Sequence, residues 1–126
     1  IHYDRIPAVV YTWPEVASVG FSEEELKAKG MKYTVGSFPF SANARARAGM
    51  DTQGFAKVLA DPVYGELLGV HVLGARAADL IAQAVVGLEY EITADSMARI
   101  SYAHPTYSEV MKEANVIASG RPSINI

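Results

Sequence analysis

Phe55-Ala56-Lys57-Val58-Leu59-Ala60 and Glu66-Leu67-Leu68-Gly69-Val70-His71-Val72-Leu73 are two β-prone runs, separated by Asp61-Pro62-Val63-Tyr64-Gly65. A five-residue connection containing Asp, Pro and Gly suits a hairpin, which pairs the runs antiparallel. Side chains alternate along a strand. That alternation predicts Leu68, Val70 and Val72 on one face of the second run and Leu67, Gly69, His71 and Leu73 on the other.

Upstream the same vocabulary continues. Ala8 to Thr12 is β-branched and aromatic, preceded by Pro7 and stopped near Pro14, and reads as a first strand. Val16 to Phe21 adds a short extended piece, and Lys32 to Phe40 a strand with Tyr33, Val35 and Phe38 as its apolar residues. Between them, Ser22 can cap the amide of Glu25, whose carboxylate reaches back. Phe21 and Leu26 occupy the hydrophobic-staple positions, and Gly30 suits a left-handed stop. The run Glu23-Glu24-Glu25 is expected to face water. Asn43 to Gly49 reads as one or two helical turns.

Downstream of the hairpin the period changes. Ala77 to Tyr90 carries Leu80, Ile81, Ala84, Val85 and Leu88, a wide helical stripe. Thr93 to Ile100 predicts a short helix with Ala94, Met97 and Ala98 inward, and Tyr107 to Ala118 another with Val110, Met111, Ala114, Ile117 and Ala118. Strands followed by helices predict an α+β fold, an antiparallel sheet of about five strands flanked by helices. A stripe wider than one sheet can cover implies a second buried surface, most commonly a symmetric dimer.

The 126 residues, half of them hydrophobic, suffice for one domain over 1–126 with its own core. Cysteine is absent, which excludes a thiolate nucleophile, a thiolate-held metal and a redox disulfide within these residues. Eleven basic against fourteen acidic side chains argue against nucleic acid as a partner. The longest apolar run falls far short of the ~20 residues of a membrane span. Neither a Gly-rich phosphate loop nor a short histidine metal spacing occurs, so no metal site is expected. Ile1 in place of an initiator Met suggests a piece of a longer protein.

Chemistry concentrates in Ala103-His104-Pro105-Thr106-Tyr107-Ser108-Glu109. His104 precedes the last helix, and Glu109 lies in its first turn, close enough to reach the ring. A carboxylate on one imidazole nitrogen selects the tautomer and leaves the other nitrogen as a base. Thr106-Tyr107-Ser108-Glu109 is equally a capping box, which leaves open a purely backbone role for Glu109. His71 reads as a packed or solvated strand residue ahead of a ligand, Arg45 and Arg47 as a solvated pair ahead of a clamp on phosphate or carboxylate, and Trp13 as either an exposed anchor or a lid on the core.

Several motifs together resemble one family. They are Ile6-Pro7-Ala8-Val9-Val10-Tyr11-Thr12, Pro14-Glu15-Val16-Ala17-Ser18-Val19-Gly20, Phe40-Ser41-Ala42-Asn43-Ala44-Arg45-Ala46 and Leu68 to Gly74. Ala103-His104-Pro105-Thr106, Ser108-Glu109, Glu113-Ala114-Asn115 and Ser123-Ile124-Asn125 complete the set. In this order the chain resembles the C-terminal interface domain of the dihydrolipoyl dehydrogenases, within the flavin disulfide reductases. Two residues depart from the family's usual pattern, Trp13 and Tyr107.

The resemblance implies that His104 is the acid–base and Glu109 its orienter, serving the active site of the other subunit. It implies a cis His104–Pro105 bond, with the backbone of both residues approaching the partner's FAD. The parent enzyme would oxidise protein-bound dihydrolipoamide with NAD+ through FAD and a redox disulfide, whose domains lie outside these residues. The piece alone is then expected to bind no FAD and to be inactive. Implied partners are a second copy, the lipoyl domain as substrate, and the subunit-binding domain of an acyltransferase core. The implied compartment is the cytoplasm, with the mitochondrial matrix second. Two alternatives stand beside this reading: the interface domain of a glutathione or mercuric reductase, and a non-catalytic dimerisation and docking module.

Overall fold

The structure, a computed structural model, describes residues 1–124; Asn125 of the tail motif lies outside the described residues. Five strands, β1 (Ala8–Val10), β2 (Glu15–Gly20), β3 (Thr34–Pro39), β4 (Phe55–Ala60) and β5 (Leu67–Gly74), form one sheet in the order β1-β2-β5-β4-β3. Every neighbouring pair is antiparallel. The helices are α1 (Glu23–Ala28), α2 (Ala44–Ala48), α3 (Ala77–Glu89), α4 (Ala94–Arg99) and α5 (Glu109–Ala118). The α+β expectation therefore holds, with five strands. Among the described residues no helix is long and apolar enough to cross a membrane.

α3 lies over β2 and β5, α5 lies over β3 and β4, and α4 packs against α5. Between helices and sheet sit Ala17, Val19, Phe38, Val58, Val70 and Val72 from the strands, and Leu80, Ile81, Ala84, Val110, Met111 and Ala114 from the helices. Each fully buried Leu, Ile or Val contributes roughly 1.5–3 kcal/mol. β3 and α5 meet closely because position 36 is glycine: a Cβ there would run into the Ala114 carbonyl and the Ala118 amide.

α1 occupies the opposite face of the sheet, where Leu26 and Leu59 are fully buried. Its capping box forms as read, with Ser22 accepting from the Glu25 amide and Glu25 from the Ser22 amide. Glu23 departs from the water-facing expectation. It is half-buried and accepts from Lys57 Nζ at 2.8 Å and Tyr33 Oη at 3.0 Å, which ties α1 to the sheet.

Other differences are local. The first strand ends at Val10 rather than Thr12, and Thr12 Oγ1 instead donates to the Pro14 carbonyl at 2.8 Å. Val35 is exposed, because Gly36 and Phe38 take the core side of β3. In β5, Ala60 pairs with Leu67 while Leu59 pairs with Gly69, leaving Leu68 as the extra residue of a bulge. The bulge reverses the expected facing of those two leucines: Leu67 joins the core with Val70 and Val72, and Leu68 does not.

Candidate functional site

The connection from α4 to α5 is where the chain's chemistry gathers. Ser101, Ala103, His104 and Pro105 are exposed, and the His104–Pro105 peptide is cis, as is Trp13–Pro14. Thr106 Oγ1 donates to the Ala103 carbonyl at 2.7 Å and lies 2.9 Å from Ser108 Oγ. From the other side, Asn43 Nδ2 donates to the Thr106 carbonyl at 3.0 Å, while Asn43 Oδ1 caps α2 by accepting from the Ala46 amide at 2.9 Å. Asn43 is 4% exposed, so it anchors the segment from within the fold.

His104 Nδ1 lies 2.9 Å and 3.0 Å from the two carboxylate oxygens of Glu109. A carboxylate only accepts, so Nδ1 carries the proton in that bond and the lone pair of the neutral ring is on Nε2. The His104 side chain is 69% exposed and that of Glu109 only 20%, so the carboxylate is sheltered and the ring is open. Glu109 also accepts from the Thr106 amide at 3.0 Å. Half of the capping box therefore exists: Glu109 reaches back to the Thr106 amide, while the Thr106 hydroxyl turns to the Ala103 carbonyl. One carboxylate performs both roles that the spacing left open.

Tyr107 packs its ring edge-on to Phe40 at 6.3 Å, with the Arg76 guanidinium 5.9 Å from its centroid. It is part of the support beneath the segment, and its size is accommodated by core contacts rather than by the exposed rim. His71 is not brought to the site: its Nε2 is 3.0 Å from the Phe21 carbonyl, in the half-buried middle of the sheet. Arg45 and Arg47 are exposed, and Trp13, 74% exposed, is no lid on the core. Among the described residues no group of His, Asp or Glu could hold a metal ion. The residues sequence reasoning passed over are Asn43 and Glu113, both buried. The signal for them was their place inside motifs that otherwise carry no chemistry.

Beside the segment runs an open apolar groove of about 720 Å³ between α3 and α4. Val86, Tyr90, Ile92, Met97, Ile100 and Tyr102 line it, and Val86 and Tyr90 are 59% and 81% exposed. α5 shares no such face, because Val110, Met111, Ala114, Val116 and Ala118 are all buried within the chain itself.

Residues 6–115 match the model of the pyridine nucleotide-disulphide oxidoreductase dimerisation domain. The chain is 52% identical over 114 residues to dihydrolipoamide dehydrogenase of Chaetomium thermophilum, covering 90% of this chain and 23% of that protein. It is 47% identical over 125 residues to the mitochondrial dihydrolipoyl dehydrogenase of Homo sapiens, covering 99% of this chain and 25% of that protein. Among solved structures, LpdA from Mycobacterium tuberculosis is similar with a TM-score of 0.86 at 28% identity, covering 91% of this chain and 25% of that one. The flavoprotein disulfide reductase RclA from Escherichia coli shares the fold at a TM-score of 0.86 and 24% identity, over 90% of this chain and 26% of that one. The chain thus spans about a quarter of the length of these proteins. With the family match running through the sheet, the His104 segment and most of α5, this chain belongs to the pyridine nucleotide-disulphide oxidoreductase dimerisation-domain family.

Proposed function

We propose that the chain is the interface domain of a dihydrolipoyl dehydrogenase and supplies its acid–base, His104, oriented by Glu109. The observation that carries this reading is the two-oxygen contact of sheltered Glu109 on Nδ1 of an exposed ring. Oxidation of dihydrolipoamide to lipoamide releases two electrons and two protons. Nε2 of His104 takes a thiol proton, so that the sulfur reacts as thiolate, and Glu109 stabilises the imidazolium that results. A redox disulfide outside this chain would take the two electrons, and FAD, when bound, would supply the relay to NAD+, with one proton leaving in the hydride and the other released to solvent. His104 and Pro105 are exposed, which suits a close approach by a flat ring system. The FAD- and NAD-binding domains are assigned, on the same reading, to the rest of the parent.

The groove of Val86, Tyr90 and Ile100 is the surface we assign to a second copy, which would deliver His104 to the opposite active site. Val10, Val16, Leu73, Phe55 and Pro39 lie in cross-strand register on the sheet face away from α3 and α5, and we assign this row to the parent's other domains. The lipoyl domain as substrate and the acyltransferase subunit-binding domain as partner complete the proposal. Several relatives carry "mitochondrial" in their names, which supports the matrix beside the cytoplasm as the compartment.

The test is His104→Gln in the whole parent, assayed with dihydrolipoamide. A positioned acid–base contributes about 10²–10⁴-fold, and a loss in that range is expected. Activity within about threefold of wild type would remove His104 from the role.

A further inference from the structure

The motif Phe40 to Ala46 has no task in the reading above, and its buried polar side chain is Asn43. Three hydrogen bonds fix this residue in place. Its amide donates to the Phe40 carbonyl at 2.9 Å, its carbonyl accepts from the Arg47 amide at 3.0 Å, and its Oδ1 accepts from the Ala46 amide at 2.9 Å. With Oδ1 committed as an acceptor, Nδ2 is left as the donor to the Thr106 carbonyl at 3.0 Å. The two contacts call for a side-chain amide: a carboxylate cannot donate, and the single hydroxyl of Ser cannot reach both.

Thr106 is the point through which this grip reaches the ring. Its own amide donates to Glu109 Oε1 at 3.0 Å, and Oε1 makes the shorter contact, 2.9 Å, to His104 Nδ1. The contacts of Thr106 Oγ1 with Ala103 and Ser108 stay inside the segment and stiffen it without attaching it to the fold. Among the described residues, the Asn43 amide makes the one hydrogen bond onto residues 101–106 from outside residues 101–109. Asn43, Glu109 and His104 also line one cavity of about 50 Å³.

We propose that Asn43 is a positioning residue for His104, acting through the Thr106 backbone and Glu109. This rests on the reading of His104 and Glu109 as the acid–base pair. The side-chain amide of Asn43 ties the Thr106 carbonyl to the start of α2, which keeps the Thr106 amide aimed at Oε1. With Oε1 held, the carboxylate meets Nδ1 with both oxygens and keeps the ring proton there. Nε2 then retains the lone pair that serves as base. Among the described residues Asn43 makes no hydrogen bond to the ring itself, so its effect reaches His104 at two removes.

The experiment is nuclear magnetic resonance on the full 126-residue chain, comparing wild type with Asn43→Ser and Asn43→Asp. It reads amide exchange at Thr106 and the tautomer of the neutral His104 ring. Both variants keep an oxygen to cap α2 and lose the donor to Thr106. Each is expected to speed Thr106 exchange at least about tenfold. Each is also expected to lower the ratio of the Nδ1–H to the Nε2–H tautomer at least about twofold. Faster exchange with an unchanged tautomer overturns the proposal, leaving Asn43 as an anchor of the segment only. Unchanged exchange overturns the link through Thr106 itself. If one variant does not fold, the other carries the test. The tautomer is read without turnover, so failure of the acid–base reading registers separately, as retained activity in the His104→Gln parent.

Discussion

Glu109 illustrates how one side chain resolves two competing sequence readings. Its oxygens satisfy an otherwise free backbone donor at Thr106 and at the same time present an acceptor to His104. Both follow from its place in the first turn of α5, where amides lack intrahelical partners and a negative charge is favoured. Glu23 makes a comparable pair of contacts on the far side of the sheet. The hydrogen bond from Lys57 is the largest cause holding its carboxyl below the ordinary value of 4.5, with that from Tyr33 next, against a smaller opposing effect of burial. A carboxyl whose pKa is lowered by folding stabilises the fold above the unfolded value and loses that contribution as pH falls through the folded one. Glu23→Gln should therefore unfold at lower urea than wild type at pH 7, with the gap closing as pH drops below about 4.5 and narrowing in high salt. Equal midpoints at pH 7 would show that the pair contributes nothing to docking α1.

At the scale of elements, glycine decides how closely strands and helices approach. Gly36 on β3 faces the backbone of α5 at Ala114 and Ala118 with no room for a methyl group, whereas Gly30 after α1 has open space and a φ of +67°. Alanine at 36 must push a packed helix away, a cost of about 1–3 kcal/mol or more. Alanine at 30 meets only left-handed backbone strain, roughly 1–2 kcal/mol. Chemical denaturation of the two variants should rank Gly36→Ala as the less stable, with an altered near-ultraviolet signal from displaced α5; the reverse order would mean that α5 shifts freely. The existence and type of every element except the short 3₁₀ turns could be read from periodicity, caps and turn residues. The facing of Leu67 and Leu68 could not, because a bulge is set by how β4 and β5 register against each other. Alternation within β5 contains no trace of it.

At the scale of the whole molecule, apolar surface is partitioned unequally. α5 spends its stripe on β3, β4 and α4, while α3 keeps Val86 outside the core beside Tyr90 and Ile100. An open apolar groove of this kind marks an association surface, and the expected occupant is a second chain. Light scattering over a concentration series should approach twice the 13.6 kDa chain mass. Val86→Lys should shift that association to higher concentration by about tenfold or more, the effect of burying an unpaired charge. A variant that associates as well as wild type would place the interface elsewhere.

The strands, the helices, the capping box of α1 and the pairing of His104 with Glu109 follow from residues near one another in the chain, where spacing and local hydrogen bonding suffice. Glu113 could not be understood in that way. On α5 alone it is a charge among apolar neighbours, and the return of the C-terminal segment supplies donors that help it to be buried. The same holds for Asn43, whose amide ties α2 to a backbone carbonyl 63 residues away. Local chemistry determined which groups could act; the meeting of distant segments, which no periodicity encodes, decided which buried polar groups hold them in place.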